Sequence, residues 1–152
     1  MSDDLKRSQL AHPRAEALAP PVEIVVQQGA VTRGAGVWRQ KDYDDWIMAI
    51  ERATREHPRR HELAGWIVNK RNHLAIEVTF YVRRDADIDN LFAPVLNPLV
   101  TGACGPRPSL PERRDSRFWI ALLQKISTGR KEHIKIVVYP VPARTAKEAT
   151  DD

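Results

Sequence analysis

Residues 73 to 92 read HLAIEVTFYVRRDADIDNLF. The first ten alternate, which makes this the clearest strand in the chain. Leu74, Ile76, Val78, Phe80 and Val82 fall on one face of an extended backbone, and His73, Glu77, Thr79, Tyr81 and Arg83 on the other. The acidic run that follows keeps the same period, so in an extended chain Asp85, Asp87 and Asp89 point to one side, a few ångströms apart. Carboxylates that close repel, and one is protonated more readily unless a cation neutralises the pair. A hard ion such as Mg²⁺ takes one or two carboxylates, keeps several waters and completes its shell with phosphate oxygens. A strand end that delivers Asp-x-Asp therefore suits metal-assisted phosphodiester hydrolysis. The same aspartates, with Asn90 ahead of an apolar segment, also read as a turn and a helix N-cap. The local pattern leaves both readings standing.

Working outward, Val22, Ile24 and Val26 predict a strand over Val22 to Gln28, followed by a glycine-containing loop, GAVTRGAG. Tyr43, Trp46, Ile47 and Ile50 have helical spacing, with Asp42 placed to cap and Asp44 and Asp45 in the first turn. That helix should end before Pro58. The apolar segment Leu91 to Val100 is interrupted by Pro94 and Pro98, and an interior proline costs about 3 kcal/mol, so a short or broken helix is expected. FWIALLQKI (118–126) and EHIKIVVYP (132–140) read as two further strands, joined as a hairpin through Ser127 to Lys131. The order β-α-β-α-β-β predicts a single α/β (α+β) domain, with helices packed on a mixed sheet. Residues 22–140 form this domain, between a polar, Ala/Pro-rich lead-in (1–21) and a tail (141–152), both expected to be flexible.

The composition fits a globular domain of 152 residues, with 42% apolar and 29% charged residues. No apolar run reaches membrane-spanning length, and the first twenty-one residues contain no signal-peptide core, so no membrane is expected. The lone Cys104 allows no intrachain disulfide, and a reducing cytoplasm is the expected compartment. The formal charge of +4 is unevenly spread: the lead-in sums to zero and the tail beyond Pro140 to −1, leaving +5 on the body. A basic body with a local acidic spot suits a protein that binds a polyanion and holds a cation on it.

VTFYVRRDADIDNLFAPVLNPL, followed by ERRDSRFWIALLQKIS and GRKEHIKIVVY, resembles the RusA family of Holliday-junction resolvases and related phage endonucleases. In that family a strand runs into an Asp-x-Asp-Asn-Leu motif that opens a helix, and a third aspartate precedes a later strand. The resemblance places the pair at Asp87 and Asp89, with Asn90 and Leu91 completing the motif, and the third aspartate at Asp115 in RDSRF. It implies a Mg²⁺-dependent endodeoxyribonuclease, with Mn²⁺ as the alternative ion, in which Asp87, Asp89 and Asp115 are the metal ligands and catalytic residues. It also implies a homodimer acting on four-way or otherwise branched double-stranded DNA, because two symmetric nicks resolve a symmetric junction. Lys125 matches a basic residue often seen late in the following strand.

The match is good over residues 73–140 and holds only in outline over 22–57. It departs from the family at Ala93, where a lysine is usual, at Asn97, where an acid is common, and in QQGAVTRGAG, which replaces a Pro- and Asn-rich motif. The change at Ala93 makes a non-cleaving DNA-binding relative the alternative. An unrelated α/β interaction domain, in which the acidic run is only a cap, is the third.

Basic residues surround the acids in sequence. Arg83 and Arg84 precede them, Arg113 and Arg114 precede Asp115, Arg130 and Lys131 sit in the expected turn, and Arg33 lies in the glycine loop. With Lys125 these are the expected phosphate contacts, which position a duplex without reading its bases. His57 and His61 in HPRRH have helical spacing, but Pro58 lies between them, so a basic loop is expected there. The four tryptophans read as core or edge packing.

Overall fold

A computed structural model describes residues 12–31, 40–106 and 114–144, with side chains from Ser116 onward in the last span. Among the described residues four strands, β1 (Val22–Val26), β2 (His73–Val82), β3 (Phe118–Ser127) and β4 (His133–Val141), form one mixed sheet in the order β1-β4-β2-β3. Among the described residues four α-helices connect them: α1 (Gln40–Arg55), α2 (Arg60–Val68), α3 (Ile88–Phe92) and α4 (Leu96–Cys104). The expected α/β (α+β) class therefore holds. None of the described helices is long and apolar enough to cross a membrane.

The alternation in β2 does what its sequence implies. Leu74, Ile76, Val78 and Phe80 are buried on the face that carries the helices. Alongside them lie Val22, Ile24 and Val26 of β1 and Ile134, Ile136 and Val138 of β4, under Trp46, Ile50, Leu63, Ile67, Leu91 and Leu99 from the helices. Two of the helices touch backbone to backbone. A Cβ added at Gly102 of α4 would fall inside contact distance of the Glu51 carbonyl oxygen of α1, and 2.8 Å from the Thr54 Cβ. At the end of α4, Gly105 takes φ +88°, a conformation that side-chain-bearing residues rarely adopt.

Four expectations change. β3 and β4 do not form a hairpin: β3 pairs parallel to β2, and β4 lies antiparallel between β1 and β2. β4 is apolar on both faces, and such a strand is best satisfied inside a sheet, whatever the length of the loop before it. Residues 128–132 instead cross the end of β2, where Thr128 N–H donates to the Val82 carbonyl (3.0 Å). Second, each helical stretch is doubled. Pro94 falls in the turn between α3 and α4, and Pro98 in the first turn of α4, where it removes no needed donor. The unexpected α2 contains His61, while His57 precedes it and pairs through Nε2 with the Glu23 carbonyl (2.8 Å). Third, α1 begins at Gln40, which puts Asp42 inside the first turn.

Fourth, part of the expected flexible ends is held. Pro13–Glu16 forms a 3₁₀ turn against the open face of the sheet, where Arg14 bonds both Glu77 carboxylate oxygens (3.0 and 2.8 Å) and Leu18 N–H donates to Pro140 (2.9 Å). From the tail, Val141 belongs to β4 and Arg144 bonds Glu16 (2.6 Å). Residues 1–11 and 145–152 lie outside the described residues.

Candidate functional site

β2 and β3 run parallel, so their carboxyl ends lie side by side, with Val82 opposite Ser127. Past Val82 the chain enters the acidic run, bends, and opens α3 at Ile88. Apolar side chains fix this bend, since Ala86, Ile88 and Phe92 pack on the core and Leu91 is buried in it. The aspartates between them are left on the outside: Asp85, Asp87 and Asp89 are all exposed.

The three do different things. Asp85 is tied to β3, because Lys125 Nζ donates to its Oδ1 at 2.8 Å and to the Ala86 carbonyl oxygen at 2.6 Å. Lys125 stands opposite Phe80, two positions before the end of the strand, so its side chain reaches over the sheet edge to the loop. The Lys125 hydrogen bond and charge hold the Asp85 carboxyl below the usual carboxylate range. Asp87 occupies the N-cap position of α3 with extended backbone (φ −67°, ψ 128°), yet its side chain makes no capping hydrogen bond. Asp89 follows in the first turn, and one of its oxygens accepts from the Asn90 N–H at 3.0 Å. Asp87 and Asp89 are thus both exposed within one turn, in the loop whose Asp85 and Ala86 hold the Lys125 ammonium. Their donor set of exposed hard oxygens fits Mg²⁺.

The expected basic residues divide. Arg83, Arg84, Arg130 and Lys131 come together at this end of the sheet, all exposed. Arg83 closes the crossing loop: its Nε donates to the Arg130 carbonyl (2.8 Å) and its N–H to Glu132 (3.0 Å). Lys125 is committed to the acidic loop. Arg33 and Arg113 lie outside the described residues, and so does the side chain of Arg114. Sequence reading passed over Glu132, a carboxylate that helps seat Arg83. Its signal is weak, a single acid in a basic turn.

Asp115 is placed elsewhere. Its backbone lies in a 3₁₀ turn, Arg114–Arg117, which packs against α2 and α4 and leads directly into Phe118, the residue opposite Leu74. That is the starting end of β2 and β3, whereas Asp87 and Asp89 follow the finishing end. The seven steps from Phe118 to Lys125, at about 3.3 Å each, span roughly 23 Å. The described backbone therefore sets Asp115 and the Asp87–Asp89 pair at opposite ends of the strand pair, and the Asp115 side chain lies outside the described residues. Among the described residues no three His, Cys, Asp or Glu side chains gather into a metal-holding group.

No family model matches the chain, and no curated protein matches it either.

Proposed function

We propose that this chain is a Mg²⁺-dependent endodeoxyribonuclease of the RusA kind, hydrolysing phosphodiesters in four-way or otherwise branched DNA. The observation that carries the reading is the Asp87 carboxylate. It stands at a helix N-cap position but makes no capping bond, which weakens the purely structural account of the acidic run. Asp89 lies beside it, exposed in the first turn of α3.

In this reading Asp87 and Asp89 hold the ion. When bound, the ion neutralises the phosphate and lowers the pKa of an attacking water. The protein's own groups position the rest. Lys125 fixes the loop through Asp85 and the Ala86 carbonyl, and Ile88, Leu91 and Phe92 seat α3 on the core. Arg83, Arg84, Arg130 and Lys131 lie at the same end of the sheet, suited to neutralising phosphates on either side of the scissile bond. Such contacts read the shape of a branched duplex and not its sequence. The working form is a homodimer, and the proposed compartment is the cytoplasm.

A second reading, junction binding without cleavage, rests on Ala93, which is exposed at the C-cap of α3 in the position where the family resemblance expects a lysine. The two are separated by incubating end-labelled four-way junction and linear duplex with the full-length protein in Mg²⁺ and in chelator. Paired nicks confined to the junction and to Mg²⁺ support the nuclease. A junction shifted on a native gel but left intact in Mg²⁺ supports the binding protein, and neither result would leave an unrelated interaction domain.

A further inference from the structure

The face of the sheet away from the helices falls into two halves. Toward the start of β2 it is covered. Ala75, Val137, Tyr139 and Val141 are buried there, and Ala17, just past the N-terminal 3₁₀ turn, packs against them. Arg14 ends the cover at Glu77, midway along β2.

Beyond Glu77 the side chains stay half-buried or exposed. Thr79 stands between Lys135 of β4 and Gln124 of β3, and Tyr81 stands between His133 and Ile126. The Tyr81 and His133 rings are stacked, with centroids 4.2 Å apart and planes 9° from parallel. His133 Nδ1 donates to the Lys131 carbonyl oxygen at 3.0 Å, which fixes the imidazole over the phenol before any ligand arrives. Each ring uses one face on the other and remains half-exposed, so a further flat ring can extend the stack.

The charge beside the stack selects the kind of ring. Tyr81 lies two residues before Arg83, and His133 two residues after Lys131, so the stack adjoins Arg83, Arg130 and Lys131, all exposed. Glu132, the acid within this turn, accepts from the Arg83 N–H at 3.0 Å. Lys135 meets Glu23 at 3.4 Å in a surface ion pair, which is worth little and is readily exchanged for a phosphate. Aromatic rings set among cations and short polar side chains match a strand of flat bases on an anionic backbone. A duplex keeps its bases paired and stacked inside, so such a platform takes unpaired nucleotides.

We infer that the uncovered half of this face is a binding site for single-stranded nucleic acid, in which a base stacks on the Tyr81–His133 pair and Arg83, Arg130, Lys131 and Lys135 hold the flanking phosphates. The site lies at the same end of β2 as the acidic loop, so the same cations serve a strand that leaves a branch point unpaired. It goes beyond the nuclease reading and uses none of the aspartates.

Titration of a labelled oligothymidylate with the full-length protein in chelator, followed by fluorescence anisotropy, tests the site. The wild type binds. Tyr81→Ala and His133→Ala each weaken binding by about 5- to 150-fold, the loss expected for one base stack, whereas Tyr81→Phe keeps the wild-type affinity. Lys131→Ala lowers the salt dependence of binding, with the log–log slope falling by about 0.7, and Tyr81→Ala leaves that slope unchanged. In the wild type, the ring proton signals of Tyr81 and His133 shift as oligothymidylate is added, a readout that needs no variant. A wild type with no affinity for oligothymidylate, ring signals that stay in place, or equal affinity in Tyr81→Ala and His133→Ala overturns the inference. Because the titration is run in chelator, it stands or falls apart from the nuclease reading, which junction cleavage decides.

Discussion

Replacing glycine by alanine inside a helix normally stabilises it, by about 0.8–1.0 kcal/mol, because alanine loses less backbone entropy. Gly65 in α2 and Gly102 in α4 are both helical, and they should respond in opposite directions. A Cβ at Gly65 meets nothing within 4 Å, so Gly65→Ala keeps the whole propensity gain. At Gly102 the new atom runs into the Glu51 carbonyl oxygen and lies 2.8 Å from Thr54 Cβ. The first obstacle is backbone and the second is fully buried, so neither yields by a rotamer change. α1 and α4 must separate, and such overpacking costs about 1–3 kcal/mol. The clash is against backbone, which places it near about 3 kcal/mol, and subtracting the propensity gain leaves a net loss of about 2 kcal/mol. For a domain of this size, that lowers Tm by roughly 4–8 °C, while Gly65→Ala raises it by roughly 2–4 °C. Urea unfolding of the three proteins checks both signs. A Gly102→Ala protein as stable as wild type, or more so, would refute the close approach of α1 and α4.

Two further outcomes follow from the ion pairs. The Asp85 carboxyl titrates below the usual range because Lys125 donates to it, so the link is formed above the ordinary carboxylate pKa and lost as pH falls through the lowered folded-state value. Lys125→Met returns the Asp85 midpoint, followed by carboxyl carbon chemical shift, to the ordinary range; an unchanged midpoint contradicts the contact. On the open face, Arg14→Ala removes both bonds to Glu77 and should speed hydrogen exchange at the Leu18 N–H, which is bonded to Pro140, leaving exchange in β2 unaltered. Equal exchange at Leu18 in both proteins would mean that the N-terminal turn is held without Arg14.

The strand at the centre of this account was legible because one buried face imposes an alternation that nothing else produces over ten residues, Leu74 to Val82 being the case in point. The proline-broken helical segment was legible for the equally local reason that Pro94 and Pro98 restrict their own backbone. Strand pairing was not. The loop from Ser127 to Lys131 has hairpin length, but partner choice is decided by burial across the whole sheet, and β4, apolar on both faces, takes an inner position beside β1 and β2. HIKIVVYPV carried that signal in its near-continuous apolar run.

The placement of the candidate site residues was half legible. Asp87 and Asp89 stand where the motif puts them, at a strand end opening a helix. Spacing along the chain says nothing about which end of a parallel pair a later residue reaches. That is why the distance between Asp115 and the pair came only from the register of β2 on β3. The role of Lys125 in fastening the acidic loop was hidden for the same reason: its partners are some forty residues away in the chain.

The central claim is that Asp87 and Asp89 serve a metal-dependent reaction on branched DNA and are not a helix cap. Single-turnover cleavage of a labelled four-way junction in Mg²⁺, comparing wild type with Asp87→Asn, tests it most directly, with junction affinity measured in parallel without metal. Asparagine caps a helix about as well as aspartate, so the fold and the junction affinity should persist while the cleavage rate falls by about 10²-fold or more. Cleavage by Asp87→Asn at the wild-type rate, or a wild type that leaves the junction intact, would contradict it.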